Sequence, residues 1–170
     1  MGSNRNDTEE LDNNIPHGAT SEVAAFDFSE FVPYLMNKAT LAILPLFTPT
    51  LKSHDVTLAG WRILATLHKS HALRVRELLH LTALEPPTLS RTLADLEQRK
   101  LIVRMPSEED ARGILVEATP EGIALAEASI PDAIALQKTA LRDFSADETD
   151  FLIRLLKRIR QNVAPDAERR

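Results

Sequence analysis

Leu84-Glu85-Pro86-Pro87-Thr88-Leu89-Ser90-Arg91-Thr92-Leu93-Ala94-Asp95-Leu96-Glu97-Gln98-Arg99-Lys100-Leu101-Ile102 is the stretch on which the reading of the fold turns. Pro86 suits the first position of a helix, where a missing N–H leaves nothing unsatisfied. Leu89, Leu93 and Leu96 follow at i, i+4 and i+7 and form one apolar stripe. The opposite face carries Pro87, Thr88, Arg91, Asp95 and Gln98. Such a helix packs by its leucines and turns short polar groups and one cation outward.

The flanks extend the pattern. Upstream, Val75 to Leu81 reads as a short helix and Thr82-Ala83-Leu84 as a turn. Downstream, Ile102-Val103-Arg104 and Ile114-Leu115-Val116-Glu117 read as two strands around a polar loop from Met105 to Gly113. Helix, turn, helix and hairpin, in that order, make a winged helix-turn-helix. A helix of this length fits the DNA major groove, and a hairpin tip reaches the neighbouring minor groove.

Further out the chain is helical. Ser29 is a candidate cap for a helix that begins near Pro33 and runs to about Leu51, kinked at Pro45. Thr57 opens a helix to about His68, with Trp61 on nearly the opposite side from Ile63 and Leu67, as expected of a helix covered by two layers. Thr119-Pro120-Glu121 caps a long helix to about Asp143, with a kink expected at Pro131. Ser145-Ala146-Asp147-Glu148 has the spacing of a capping box and opens a last helix striped by Phe151, Leu152, Leu155, Leu156 and Ile159. The fold class is therefore mainly α with a small β-hairpin wing, a winged helix-turn-helix domain joined to a helical dimerisation region. The expected organisation is an acidic, disordered tail over 1–27, a dimerisation helix over 28–56, the winged domain over 57–118, C-terminal dimerisation helices over 119–165 and a short tail over 166–170.

The net charge of −5 looks wrong for a phosphate binder, but its location removes the objection. Residues 1–30 carry Arg5 against seven carboxylates, so the other 140 residues sum to +1. The chain has no cysteine, which excludes disulfides, thiolate-zinc sites and thiol redox switches and fits a reducing cytoplasm. No run approaches membrane-span length and no secretory pattern is present. A Gly-rich phosphate loop, a nucleophile elbow and an H-E-x-x-H motif are all missing, so neither an enzyme nor a cofactor is expected. His68, His71 and His80 lack an obvious carboxylate partner in sequence, and solvated or capping roles are expected rather than a metal site.

Residues 57 to 122 resemble the MarR family of transcriptional regulators nearly end to end. The resemblance is carried by Leu84 to Arg91 and Leu96 to Ile102, by Asp110-Ala111-Arg112 as the D-x-R of the wing, and by Thr119-Pro120-Glu121-Gly122 as a T-x-x-G helix start. With its flanking helices it covers about residues 28 to 163. The chain departs from the family at the paired Pro86 and Pro87, where polar residues are usual, and at Lys100, where a Gly is common at the helix end.

The resemblance implies a homodimer on pseudo-palindromic double-stranded DNA, in which the first helix and the last two interleave between subunits. It also implies a small effector, often an aromatic carboxylate or its coenzyme A thioester, bound between those helices and the winged domain. On this reading Pro87, Thr88, Ser90 and Arg91 face bases, Arg112 enters the minor groove braced by Asp110, and Arg74, Arg76, Arg99 and Arg104 are candidates for phosphates. Trp61, Arg62, Asn37, Thr40 and Leu44 are candidates for the effector pocket, with plain core packing the alternative for Trp61. A second reading keeps the helical dimer but uses the winged domain as a protein-interaction platform; the exposed Arg91 and Arg112 favour DNA.

Overall fold

The computed structural model describes residues 23–70, 72–106 and 113–163. Most of the acidic leader expected over 1–27, the wing tip with Asp110 and Arg112, His71, and the tail over 166–170 lie outside the described residues. The chain divides into two compact units, one ending at Leu41 and one beginning at Ala42.

In the first unit a single 3-10 turn, Phe28–Glu30, precedes helix α1, Val32–Ile43. Asp27 caps the turn in place of the expected Ser29: its Oδ1 accepts the Ser29 backbone N–H at 2.8 Å and the Ser29 hydroxyl at 2.7 Å. A carboxylate two residues earlier is a stronger acceptor than a hydroxyl at the turn itself. The rings of Phe26, Phe28, Phe31 and Tyr34 cluster here, with Phe28 and Tyr34 centroids 4.3 Å apart, and the three phenylalanines remain exposed.

The helix expected to continue to Leu51 does not. It gives way to a 3-10 turn, Leu44–Phe47, and then to α2, Thr48–Ser53. Pro45 and Pro49 stand near the start of these two segments, and neither has an N–H for the helical bond four residues back. The break turns Phe47 inward, where it is buried.

Thr57 caps α3, Leu58–Ser70, accepting the Gly60 N–H on its hydroxyl at 3.0 Å. Then follow β1 (Ala72–Arg74), α4 (Val75–Thr82), α5 (Pro86–Gln98), β2 (Ile102–Pro106), β3 (Ile114–Ala118), α6 (Pro120–Ala140) and α7 (Ala146–Val163). β1 is an addition to the two strands expected. It pairs antiparallel with β3, Leu73 opposite Val116, so the sheet runs β1-β3-β2 and the hairpin is anchored along its β3 edge.

Helix α3 packs against α4 and α5 and against α6. Ile63, Leu64, Leu67, Leu78, Leu89, Leu93, Leu96, Ile102 and Val116 are fully buried and form one core. Each such side chain contributes roughly 1.5–3 kcal/mol over its exposed state, so this cluster holds the helices and the sheet as one body.

α5 ends in a left-handed turn of the Schellman type. Lys100 N–H donates to Glu97 O and Leu101 N–H to Leu96 O, both at 2.9 Å, with Lys100 at φ 58°. Immediately beyond it, Thr119 ties the start of α6 to this corner. Its N–H donates to Leu101 O at 3.1 Å, its hydroxyl donates to Lys100 O at 2.8 Å, and that hydroxyl oxygen accepts the Gly122 N–H at 3.1 Å. Gly122 is required at this node, because a Cβ there would lie 2.0 Å from Leu101 O. α6 ends at Ala140, one turn short of the expected Asp143, and carries Pro131 in its interior.

α7 opens on the expected capping box: Ser145 N–H donates to Glu148 Oε2 at 2.8 Å and Glu148 N–H to Ser145 Oγ at 3.3 Å. Those bonds from Ser145, backbone first, hold the Glu148 carboxyl below its ordinary range. Phe151, Ile153, Leu156, Ile159 and Val163 of this helix are exposed. Near its far end, Arg160 Nη2 donates to His80 O at 3.1 Å and meets the His80 ring.

Candidate nucleic-acid interface

The leucine stripe of α5 fixes which side chains of that helix face outward. With Leu89, Leu93 and Leu96 buried, the centre of the opposite face falls on Pro87, Arg91, Ala94 and Gln98, at i, i+4, i+7 and i+11, and all four are exposed. Asp95 borders this stripe and is exposed too. Arg91 Nε donates to Pro87 O at 3.3 Å, which draws its guanidinium back along the helix toward the N-terminal end. In helix-turn-helix proteins that end is the one whose side chains reach base edges.

Thr88 and Ser90 lie on the flanks of the stripe. Thr88 is half-buried and its carbonyl accepts the Thr92 hydroxyl at 2.8 Å. Ser90 is exposed but lines a groove of about 180 Å³ between α5, α4 and the hairpin, shared with Leu79, Arg104 and Ile114. Ala94 is the residue of this stripe that the sequence reading passed over, although the wheel from Pro87 contains it; Gln98 was read on this face but not named as a DNA contact.

Of the candidate phosphate contacts, Arg76 is exposed in the first turn of α4. Arg74 precedes that helix, its backbone N–H donating to Glu77 Oε2 at 2.7 Å. Arg99 and Arg104 are engaged with carboxylates. Arg99 lies 3.6 Å from Asp55 and 3.7 Å from Asp95. Arg104 Nε donates to Glu97 Oε2 at 2.9 Å, and its Nη2 meets the same oxygen. The hydrogen bond from Arg104 holds the Glu97 carboxyl below the ordinary carboxylate range and raises the Arg104 guanidinium in turn.

The MarR family model matches residues 56–114, the segment from the cap of α3 through the start of β3. A helix-turn-helix-type transcriptional regulator of Staphylococcus aureus strain Mu50 is 30% identical over 126 residues, 73% of this chain and 86% of its own. The chain belongs to the MarR family. The transcriptional repressor NicR of Pseudomonas putida is 26% identical over 144 residues, 85% of this chain and 91% of its own. Among solved structures, BpsR of Bordetella bronchiseptica, described for regulation of its DNA binding by 6-hydroxynicotinic acid, matches at a TM-score of 0.68 and 25% identity over 76% of this chain and 98% of its own. MarR-family relatives such as these are transcriptional regulators.

Within this MarR-family chain the effector candidates fall in both units. Asn37 and Thr40 are exposed in the first unit, and the Thr40 hydroxyl donates to Met36 O at 2.9 Å. Leu44, Trp61 and Arg62 are half-buried in the second. Trp61 Nε1–H donates to Ser129 Oγ at 2.9 Å, while the indole meets the Phe47 ring edge-on at 4.8 Å. Ser129 is fully buried and its hydroxyl faces Leu125 O and Ala126 O. Trp61 thus ties α3 to α6 and to the 3-10 turn; neither partner was foreseen from sequence, which has no signal for a contact 68 residues away. His68 also has a carboxylate neighbour, Glu127 at 3.3 Å, where none was expected. No cluster of three or more metal-binding side chains occurs among the described residues, and none of their helices is long and apolar enough to cross a membrane.

Proposed function

We propose that this chain is a DNA-binding regulator that acts as a homodimer, most simply as a repressor, on a pseudo-palindromic duplex, and that a small aromatic carboxylate or its thioester releases it. One observation carries the reading: the exposed stripe Pro87, Arg91, Ala94, Gln98 on a helix held rigidly by its leucines. A groove-reading helix needs a surface free of bulky side chains that still carries donors, and this stripe has both. Arg91 reads a guanine or a neighbouring phosphate. Pro87 and Ala94 offer only apolar contact, which suits thymine methyl groups. Arg112, outside the described residues, enters the minor groove on this reading, with Asp110 supporting it.

The homodimer is supported by apolar surface left open on each unit: Phe26, Phe28 and Phe31 in the first, and the α7 stripe from Phe151 to Val163 in the second. Exposed apolar area of this extent marks an association face, and twofold symmetry matches palindromic DNA. On this reading the effector lies beside Trp61 and Arg62, neighbours on α3, of which Trp61 bonds to α6 through Ser129. A ligand that prises at that contact and prefers one spacing of the two reading helices would shift DNA affinity by that preference. BpsR, whose DNA binding 6-hydroxynicotinic acid regulates, supports an aromatic acid. Function on the chromosome implies the cytoplasm.

The test is a gel shift with the region upstream of the chain's own gene, repeated with added aromatic carboxylates while Trp61 fluorescence is followed. Retarded complexes that dissolve as the fluorescence changes support the whole reading. Failure to shift any duplex refutes the DNA claim and leaves a protein-interaction platform.

A further inference from the structure

Arg104 is a surface arginine of the hairpin, the kind of residue expected to meet a phosphate, yet strand alternation aims it the other way. It shares a face of β2 with Ile102, and its cross-strand partner is Val116; both of these are buried. That face is turned toward α5. There Arg104 Nε and Nη2 converge on one oxygen of Glu97, in the last turn of the helix, across the left-handed corner at Lys100.

The position of this tie matters. In β2 only Ile102 is buried, and from Val103 onward the strand leaves the core. Arg104 therefore stands at the last firmly anchored level of the ribbon: opposite it Val116 is buried and paired with Leu73 of β1, and past Leu115, the partner of Arg74, the β2–β3 ribbon is no longer held by β1. A pivot there is magnified further out along the ribbon, whereas the helix end that supplies Glu97 is locked by the Schellman bonds and by Thr119. The pair is partly exposed, and such pairs add little to stability. Its direction, not its energy, is the distinctive feature.

We propose that Glu97 is a positioning residue for DNA binding: through Arg104 it fixes the angle between the hairpin wing and the reading helix, so that Arg104 serves as a tie within the protein and not as a phosphate contact. This deepens, and rests on, the DNA-binding reading above. A carboxylate that does not touch DNA thereby supports binding, the reverse of what its charge alone predicts.

The experiment first uses the full chain to enrich a duplex from a random pool, then measures affinity by fluorescence anisotropy across a salt series for the parent, E97Q, R104Q and the swap E97R/R104E. Thermal melts of all four check that each is folded. E97Q and R104Q weaken binding by about fivefold per subunit, or roughly 25-fold for a dimer engaging both half-sites. The slope of log affinity against log salt becomes shallower than that of the parent, because the wing cation that leaves the minor groove no longer releases counterions. Dimethyl sulfate footprints of both variants keep protection of guanine N7 in the major groove and lose that of adenine N3 in the minor groove, and the swap restores affinity and footprint. Tighter binding by E97Q with a steeper salt slope would mean that Arg104 is a phosphate contact held back by Glu97, and overturns the proposal. So does parental affinity in both single variants. A parent that enriches no duplex refutes the DNA reading itself, a result separate from either of these.

Discussion

Adding one methyl group at Gly122 tests the node where the reading helix, the wing and the long helix α6 meet. An alanine Cβ there would lie 2.0 Å from Leu101 O and 3.0 Å from Leu101 C, both backbone atoms, and 3.2 Å from Leu64 Cδ2. Real Cβ contacts are essentially never below 3.0 Å, so the α6 terminus must move away from the Leu101 peptide by about 1 Å or more. That movement stretches the Thr119 N–H bond to Leu101 O and the Thr119 hydroxyl bond to Lys100 O. Two such bonds amount to about 2 kcal/mol and overpacking adds about 1–3, while the better helix propensity of alanine returns up to about 1. The net loss is about 2–4 kcal/mol, or roughly 5–15 °C in Tm for a chain of this size. Gly60→Ala is the control. Its Cβ would meet Val56 Cγ2 at 3.0 Å and Leu96 Cδ2 at 3.5 Å, side-chain atoms able to shift, so the change stays within about 1 kcal/mol. Circular dichroism melts of the two variants at equal concentration decide the matter. A Gly122→Ala protein that melts with the parent would refute the close approach, and with it the physical account of the T-x-x-G start.

Lys100 occupies a left-handed position at φ 58°, so Lys100→Gly should stabilise the chain by about 1 kcal/mol in urea denaturation; no gain would mean that the strain is absent. Arg91→Ala should cost about 1–3 kcal/mol per half-site in anisotropy titrations and relax base preference there, whereas Arg112→Ala should weaken binding to all sequences and flatten the salt dependence. Truncation after Phe144 removes α7 and its apolar stripe; light scattering should then show monomer or aggregate, and an unchanged dimer would remove α7 from the interface.

How much of this was legible in sequence follows from range. Local features were readable: the Leu89, Leu93, Leu96 stripe, Pro86 at the helix start, the Thr119 cap and the Ser145–Glu148 box each depend on residues within one or two turns. The family resemblance rested on the same local spacings and was sound. Medium-range features were lost. β1 is three residues long and becomes a strand only by pairing with β3, so no alternation announces it. The helix written through Pro45 broke because Pro45 and Pro49 act together, and a single proline allows a kink. Contacts set by tertiary packing left no mark at all, as with Trp61 and Ser129, or Thr50 and Asp132, whose hydroxyl and carboxylate meet at 2.9 Å. The candidate site shows the same division. Arg91 was evident from its helix face, whereas Ser90 was placed nearest the bases without the groove beneath the wing that it lines. The pairing of Arg104 with Glu97 was not foreseen, because nothing local shows that the chain folds back to bring the two together.

On the proposed function, two copies of this chain grip one duplex through α5. This is tested most directly by footprinting the full chain on a duplex that it has itself enriched, with the mass of the complex measured in parallel. Two chains per duplex are expected, with two symmetry-related major-groove protections about one helical turn apart, both lost in Arg91→Ala. One chain per duplex, a single protected patch, or a footprint unchanged in Arg91→Ala would contradict it.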